Sequence, residues 1–202
     1  MERIESSKIE KLMSIIGDSR RISIVSHLKP DGDALGSCVA MFHFLGQCGK
    51  DDIRIVLPDS YPSYLDFITE GLQEKDILTY SHDSSEAEKA IASSDLIICL
   101  DFNAFHRTDG LEDPLKESRA SKILVDHHLS PDSEQFDVFF SETEISSASE
   151  LLYQVLMRTA SICGKADRLP EESATALMTG MTTDTNNFAN STYPSTLNMA
   201  SD

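Results

Sequence analysis

Short apolar runs rich in β-branched residues alternate with stretches of helical composition along this chain, and few folds accommodate that order. Residues 21–26 (Arg-Ile-Ser-Ile-Val-Ser), 53–57, 95–100 (Asp-Leu-Ile-Ile-Cys-Leu), 122–125 and 136–140 read as strands. Helices are predicted over 4–17, 34–48, 64–71, 85–93, 111–119, 147–162 and 171–183, with Gly49 closing the second and Pro58 stopping the strand before it. Ser147 and Glu150 have the spacing of a capping box ahead of Leu151 and Leu152. The strands are almost continuously apolar rather than alternating, as strands buried on both faces must be. The expectation is an α/β domain over residues 1–202: a Rossmann-like parallel sheet with helices on both faces.

Charge narrows the function. Against 34 acidic side chains stand 17 basic ones, a formal charge of −17. That balance disfavours wrapping a long nucleic-acid backbone, although a small anion can still bind where a local cation overrides the field. No run approaches the roughly 18 apolar residues of a membrane span, and the first residues lack the apolar core of a signal peptide. Cys38, Cys48, Cys99 and Cys163 form no Cys-x-x-Cys pair. Cys38 and Cys99 lie in apolar runs and read as packing thiols. A reduced, cytoplasmic protein is expected, with no membrane partner.

In an open parallel sheet, ligands bind beyond the carboxyl ends of the strands, so the residues after each strand matter most. The first strand runs into His27-Leu28-Lys29-Pro30-Asp31-Gly32-Asp33. The third ends in Asp101 and the fourth in Asp126-His127-His128, while the last predicted helix runs out through Gly180-Met181-Thr182-Thr183-Asp184. Carboxylates gathered at one rim repel, which destabilises the fold unless a cation neutralises them. Mixed imidazole and carboxylate donors suit a hard or borderline divalent ion, with Mn²⁺ favoured over a thiolate-seeking metal. Two ions about 3.5–4 Å apart would clamp a phosphoryl group for hydrolysis. Pro30 and Gly32 stiffen and sharpen the first turn, letting His27, Asp31 and Asp33 share a pocket. His43 reads as a packing histidine, and His82 and His106 as surface residues. Thr182, Thr183, Thr185 and Asn186 are expected to satisfy backbone groups around Asp184.

His27-x-x-Pro30-Asp31-x-Asp33-Ala34-x-Gly36, Asp101, Asp126-His127-His128 and Asp184 resemble, in order, the four motifs of the DHH phosphoesterase superfamily, over about residues 20–190. The resemblance is closest to the branch of bifunctional oligoribonucleases and phosphoadenosine-phosphate phosphatases. It implies one metal held by His27, Asp31 and Asp101, and a second held by Asp33, Asp101, His127 and Asp184, with Asp101 bridging. Asp101, His127 and His128 would form the catalytic centre. His128 would face the substrate phosphate, and Asp126 would orient a histidine from behind. In 101–107 (Asp-Phe-Asn-Ala-Phe-His-Arg), Arg107 would pair with a phosphate oxygen.

The implied activity is Mn²⁺-dependent hydrolysis, with Mg²⁺ or Co²⁺ as alternatives, of short oligonucleotides or phosphoadenosine phosphate. Exopolyphosphatases and inorganic pyrophosphatases share the motifs, so phosphoanhydride hydrolysis is the alternative. A non-catalytic binding module of the same fold is a third reading, against which stand the intact ligand positions. Members of the branch carry a second, smaller domain (DHHA1) with a glycine-rich motif, and no Gly-Gly-Gly-His run occurs here. The 202 residues are therefore expected to be the catalytic domain, and homodimerisation is expected by analogy.

Overall fold

The structure is a computed structural model, and it describes residues 4–202. Six strands form one sheet: β1 (Arg21–Val25), β2 (Asp52–Leu57), β3 (Ile77–Thr79), β4 (Leu96–Leu100), β5 (Ser121–Asp126) and β6 (Val138–Ser141). Their order is β3-β2-β1-β4-β5-β6, and every pairing is parallel. Val25 pairs with Val56 on one side and Cys99 on the other, so β1 and β4 run side by side at the centre. The chain winds outward from β1 in one direction and from β4 in the other. A crevice must therefore open between the ends of those two strands.

Apolar residues on alternate positions feed two cores. Leu96, Ile98 and Leu100 of β4 join Ile22, Ile24, Ile123 and Val125 beneath α1 (Ser6–Asp18), α2 (Gly32–Gln47), α5 (Ala148–Leu156) and α6 (Glu171–Asp184). Ile97 and Cys99 join Val25 and Leu124 beneath α3 (Ser84–Ser93) and α4 (Glu112–Glu117). Burial on both faces explains why strict polar alternation is missing from the strands. Cys38 and Cys99 are buried, and all four cysteines are free.

Several elements differ from expectation. Residues 63–69 form a 3₁₀ helix: Leu65 and Ile68, three residues apart, are its buried pair, a spacing that suits three residues per turn. The helix predicted over 147–162 stops at Leu156, where Thr159 Oγ1 takes the Leu156 carbonyl at 2.7 Å and Cys163 and Gly164 turn with positive φ. The helix predicted over 111–119 is shortened to α4. β3 was not foreseen, because three half-buried residues at a sheet edge carry no readable pattern. Nor was α7 (Pro194–Ser201). Only half of the capping box forms: Ser147 Oγ accepts from Glu150 N at 3.0 Å. The Glu150 carboxylate turns instead to Ser146 and to Thr196 Oγ1 of α7, at 2.6 Å from the latter.

The α2–α6 contact places the crevice walls. A Cβ on Gly36 would stand 2.5 Å from the Ala176 carbonyl, and one on Gly180 would stand 2.0 Å from Ser149 Oγ. Glycine at these positions is what lets Asp33, on α2, lie near Asp184, at the end of α6. Gly36→Ala is expected to lower stability by about 1–3 kcal/mol through overpacking. Gly46→Ala, in the same helix with nothing within 4 Å of its Cβ, is expected to be neutral or stabilising by about 0.5 kcal/mol. Denaturant melts of the two variants check the contrast.

Candidate metal centre

The crevice between β1 and β4 collects its side chains from four segments. Beyond β1, Ser26 Oγ donates to the Leu100 carbonyl at 2.8 Å, tying the two strand ends together. His27 follows, and its Nδ1 lies 2.9 Å from the Leu28 carbonyl. A carbonyl can only accept, so Nδ1 carries the proton and Nε2 faces Asp101 Oδ2 at 3.3 Å. Asp31 is the N-cap of α2, its Oδ1 accepting from Asp33 N and Ala34 N, both at 3.0 Å. It therefore has a structural task besides any other.

Asp33 is buried and its carboxylate crosses to α5, accepting from Ala148 N at 2.7 Å and Ser149 N at 2.9 Å. These are the first two amides of that helix, whose positive end stabilises a buried anion. Sequence reading missed this role for the Ser-Ser-Ala-Ser-Glu run, because the partner lies more than a hundred residues away.

Asp101 leaves β4 with φ +64, a left-handed conformation that aspartate tolerates better than most residues. Its amide donates to the Val125 carbonyl at 3.1 Å. Its Oδ1 is buried with no hydrogen-bond partner. That orphaned oxygen is 3.4 Å from His127 Nε2. The same nitrogen lies 3.9 Å from Asp33 Oδ2 and 3.7 Å from Asp184 Oδ2. Asp126, the last residue of β5, is fully buried. Its Oδ1 accepts from His128 Nδ1 at 2.7 Å and its Oδ2 from the His128 amide at 3.1 Å.

Three sets of donors converge with their ligand atoms within 4.8 Å of one another: His27, Asp31 and Asp101; Asp33, His127 and Asp184; and Asp101, His127 and His128. Atoms each about 2.1 Å from a shared ion stand roughly 3–4 Å apart, so the spacings fit metal. In the third set His128 Nδ1 is committed to Asp126 and stands 3.8 Å from Asp101 Oδ1, which leaves it poorly placed as a ligand. Its Nε2 makes no hydrogen bond among the described residues.

The electrostatics carry the strain of so many carboxylates. Burial pushes the Asp33 carboxyl well up, with Asp101 and Asp184 adding to it. Burial also raises Asp184, with His127 opposing. For Asp101, burial works against the charged form, yet His127 and His27 outweigh it and hold the carboxyl below its usual value. Burial favours a neutral His127 ring, but Asp101, Asp33 and Asp184 overcome this and raise its pKa to about 9. His27 is raised for the same opposed reasons. A divalent cation would meet both the excess negative charge and the unmet oxygen.

Arg107 is half-buried and its side chain makes no ion pair among the described residues. Its carbonyl accepts from Leu28 N at 2.8 Å, which sets it beside the His27 loop. Thr183 and Thr185 spend their hydroxyls on carbonyls of α6, at 2.9 Å from Gly180 and 2.8 Å from Met181. His43 lies against the Phe42 ring at 5.5 Å, while His82 and His106 are exposed.

Comparison with known proteins agrees with this geometry. The family description "DHH family, N-terminal domain" matches residues 21–181. The bifunctional oligoribonuclease and PAP phosphatase NrnA of Bacillus subtilis is 28% identical over 165 residues, 80% of this chain and 45% of that protein. An exopolyphosphatase-related protein from Bacteroides fragilis superposes with a TM-score of 0.89 at 34% identity, covering 100% of this chain and 57% of that one. RecJ from Thermus thermophilus, solved with Mn²⁺, has a TM-score of 0.52 at 17% identity, covering 89% of this chain and 24% of its own; that likeness shows a common fold. The chain thus spans about half the length of its nearer relatives named here.

Without metal, His127 makes stability pH-dependent. Its folded pKa of about 9 exceeds the unfolded value of about 6.5. Its contribution is fully present below pH about 6.5 and is lost as pH rises through about 9. Denaturation midpoints of chelator-treated protein are expected to fall across that window, and His127→Asn is expected to flatten the fall. A wild-type midpoint that stays level from pH 6 to 9 would contradict this.

Proposed function

This chain belongs to the DHH family, and from that premise we propose that it is a two-metal phosphoesterase. The observation that carries the reading is the Asp101 carboxylate, which is shared by two donor sets and has one buried oxygen without a hydrogen-bond partner. One ion would be held by His27, Asp31 and Asp101, the other by Asp33, Asp101, His127 and Asp184. Mn²⁺ fits the imidazole–carboxylate donor set best, and RecJ of the same fold was solved with it. Bound there, two divalent ions would lower the pKa of a coordinated water and neutralise charge developing on the phosphoryl oxygens.

The remaining work falls to side chains. His27 presents Nε2 because Leu28 takes its Nδ1 proton, and Asp33 is aimed by the amides of α5. With Nδ1–H donating to Asp126, His128 can donate from Nε2 to a substrate phosphate oxygen when the ring is doubly protonated. Arg107, free of ion pairs among the described residues, would take another phosphate oxygen. For the setting we infer a reducing, cytoplasmic compartment, a reading supported by the four free cysteines. No helix among the described residues is long and apolar enough to cross a membrane.

For the substrate we favour short oligonucleotides or phosphoadenosine phosphate, supported by the resemblance to NrnA. Phosphoanhydride hydrolysis is the second reading, favoured by the likeness to an exopolyphosphatase-related protein. We assign the metal chemistry to this 202-residue domain and substrate choice to a second domain of the DHHA1 kind.

A panel of a dinucleotide, phosphoadenosine phosphate, cyclic-di-AMP, pyrophosphate and polyphosphate with Mn²⁺ tests the proposal. Cleavage of pyrophosphate or polyphosphate alone would replace the first reading by the second. Asp101→Asn keeps a residue that tolerates the left-handed backbone, so the fold is expected to survive. Mn²⁺-dependent turnover is expected to fall by about 10³ or more. Full activity in that variant would end the two-metal reading.

A further inference from the structure

We propose that Asn103 is a positioning residue that holds the His127–His128 loop in register for metal, a role that rests on the two-ion reading above. Asn103 lies two residues past Asp101, in the loop that leaves β4. Its Nδ2 donates to the carbonyl of Leu129, the residue after His128, at 2.8 Å. Its own carbonyl accepts from Asp132 N at 2.9 Å. One residue thus grips the neighbouring loop at two points, from the segment that also carries the shared carboxylate.

That loop needs an external hold. β5 ends at Asp126, so no strand ladder supports His127 or His128. Leu129 is 74% exposed and Ser130 has φ +57. Among the described residues, the Pro131 and Asp132 carbonyls accept only from the turn that follows, at Ser133 N and Gln135 N, whereas the Leu129 carbonyl and the Asp132 amide reach across to another segment, both to Asn103. The aim of His127 Nε2 at Asp101, Asp33 and Asp184 is therefore set through this residue. The segment after β4 that carries Asn103 also reaches the other side of the crevice, where the Arg107 carbonyl accepts from the Leu28 amide.

The Asn103 side chain also has a cost that speaks for its role. Its Oδ1 is buried and has no hydrogen-bond partner. A buried acceptor left unmet works against stability, and an alanine would remove it. What the amide supplies in return is its donor to Leu129.

The test compares wild type with Asn103→Ala and Asn103→Asp, the latter nearly the same shape but without the donor. Mn²⁺ binding is measured by calorimetry, and the melting temperature is measured on chelator-treated protein. Both variants are expected to bind Mn²⁺ about tenfold or more weakly, as loss of a group that orients a ligand does. The metal-free melting temperature of Asn103→Ala is expected to match or exceed that of wild type. Unchanged Mn²⁺ affinity in a folded variant would overturn the proposal, as would a lowered melting temperature with affinity intact. If the alanine variant does not fold, the aspartate variant decides on the same two measurements. Wild-type protein that binds no Mn²⁺ would overturn the two-ion reading itself, and the positioning role with it.

Discussion

Negative charge confined in a small crevice is the constraint around which this fold is arranged. Asp31, Asp33, Asp101 and Asp184 meet His27 and His127 at the ends of β1 and β4, and burial together with the neighbouring carboxylates raises the cost of ionising Asp33 and Asp184. The protein meets part of that charge with its own groups. Asp33 takes two amides from the start of α5, Asp31 takes two from α2, and Asp101 draws on His27 and His127. One buried oxygen of Asp101 is left over. The supply of protein donors runs out at the place where a cation would complete it.

Packing serves the same arrangement. Asp33 and Asp184 come from helices far apart in the chain, and the absence of side chains at Gly32, Gly36 and Gly180 lets α2, α5 and α6 approach closely enough. Glu150 extends the linkage outward, since its buried carboxylate joins the segment before α5 to Thr196 of α7. The helix that aims Asp33 is thereby anchored to the last helix of the chain. Rigid support of this kind keeps ligand donors within the narrow tolerance that metal geometry sets.

Much of the fold was legible in sequence because the strands are long, apolar and separated by helices. Five of six strands and most helices stand close to their expected places. The misses have local causes. β3 is too short and too exposed to carry periodicity, and α7, eight residues with only Thr196 and Met199 buried, shows little apolar periodicity beyond the Pro194 at its start. At the site, the residues after each strand were readable because a parallel sheet brings strand ends to one rim. The roles of Asn103, of Gly180 and of the first α5 amides were not, since their partners are distant in sequence and their residue types are ordinary.

The order of residues alone determined that this chain would be a doubly covered parallel sheet, and which aspartates and histidines would stand at its carboxyl edge. Strand hydrophobicity and strand-end placement are local properties, and local patterns record them. Only the tertiary structure decided that β1 and β4 would be neighbours, that Asp101 would keep an unmet oxygen, and that backbone amides from α5 would hold Asp33. These depend on which groups meet from distant parts of the chain, 115 and 116 residues apart in the case of Asp33 and the α5 amides. No pattern within the chain records that, because hydrogen bonding and charge act through distance in space and take no account of position in sequence.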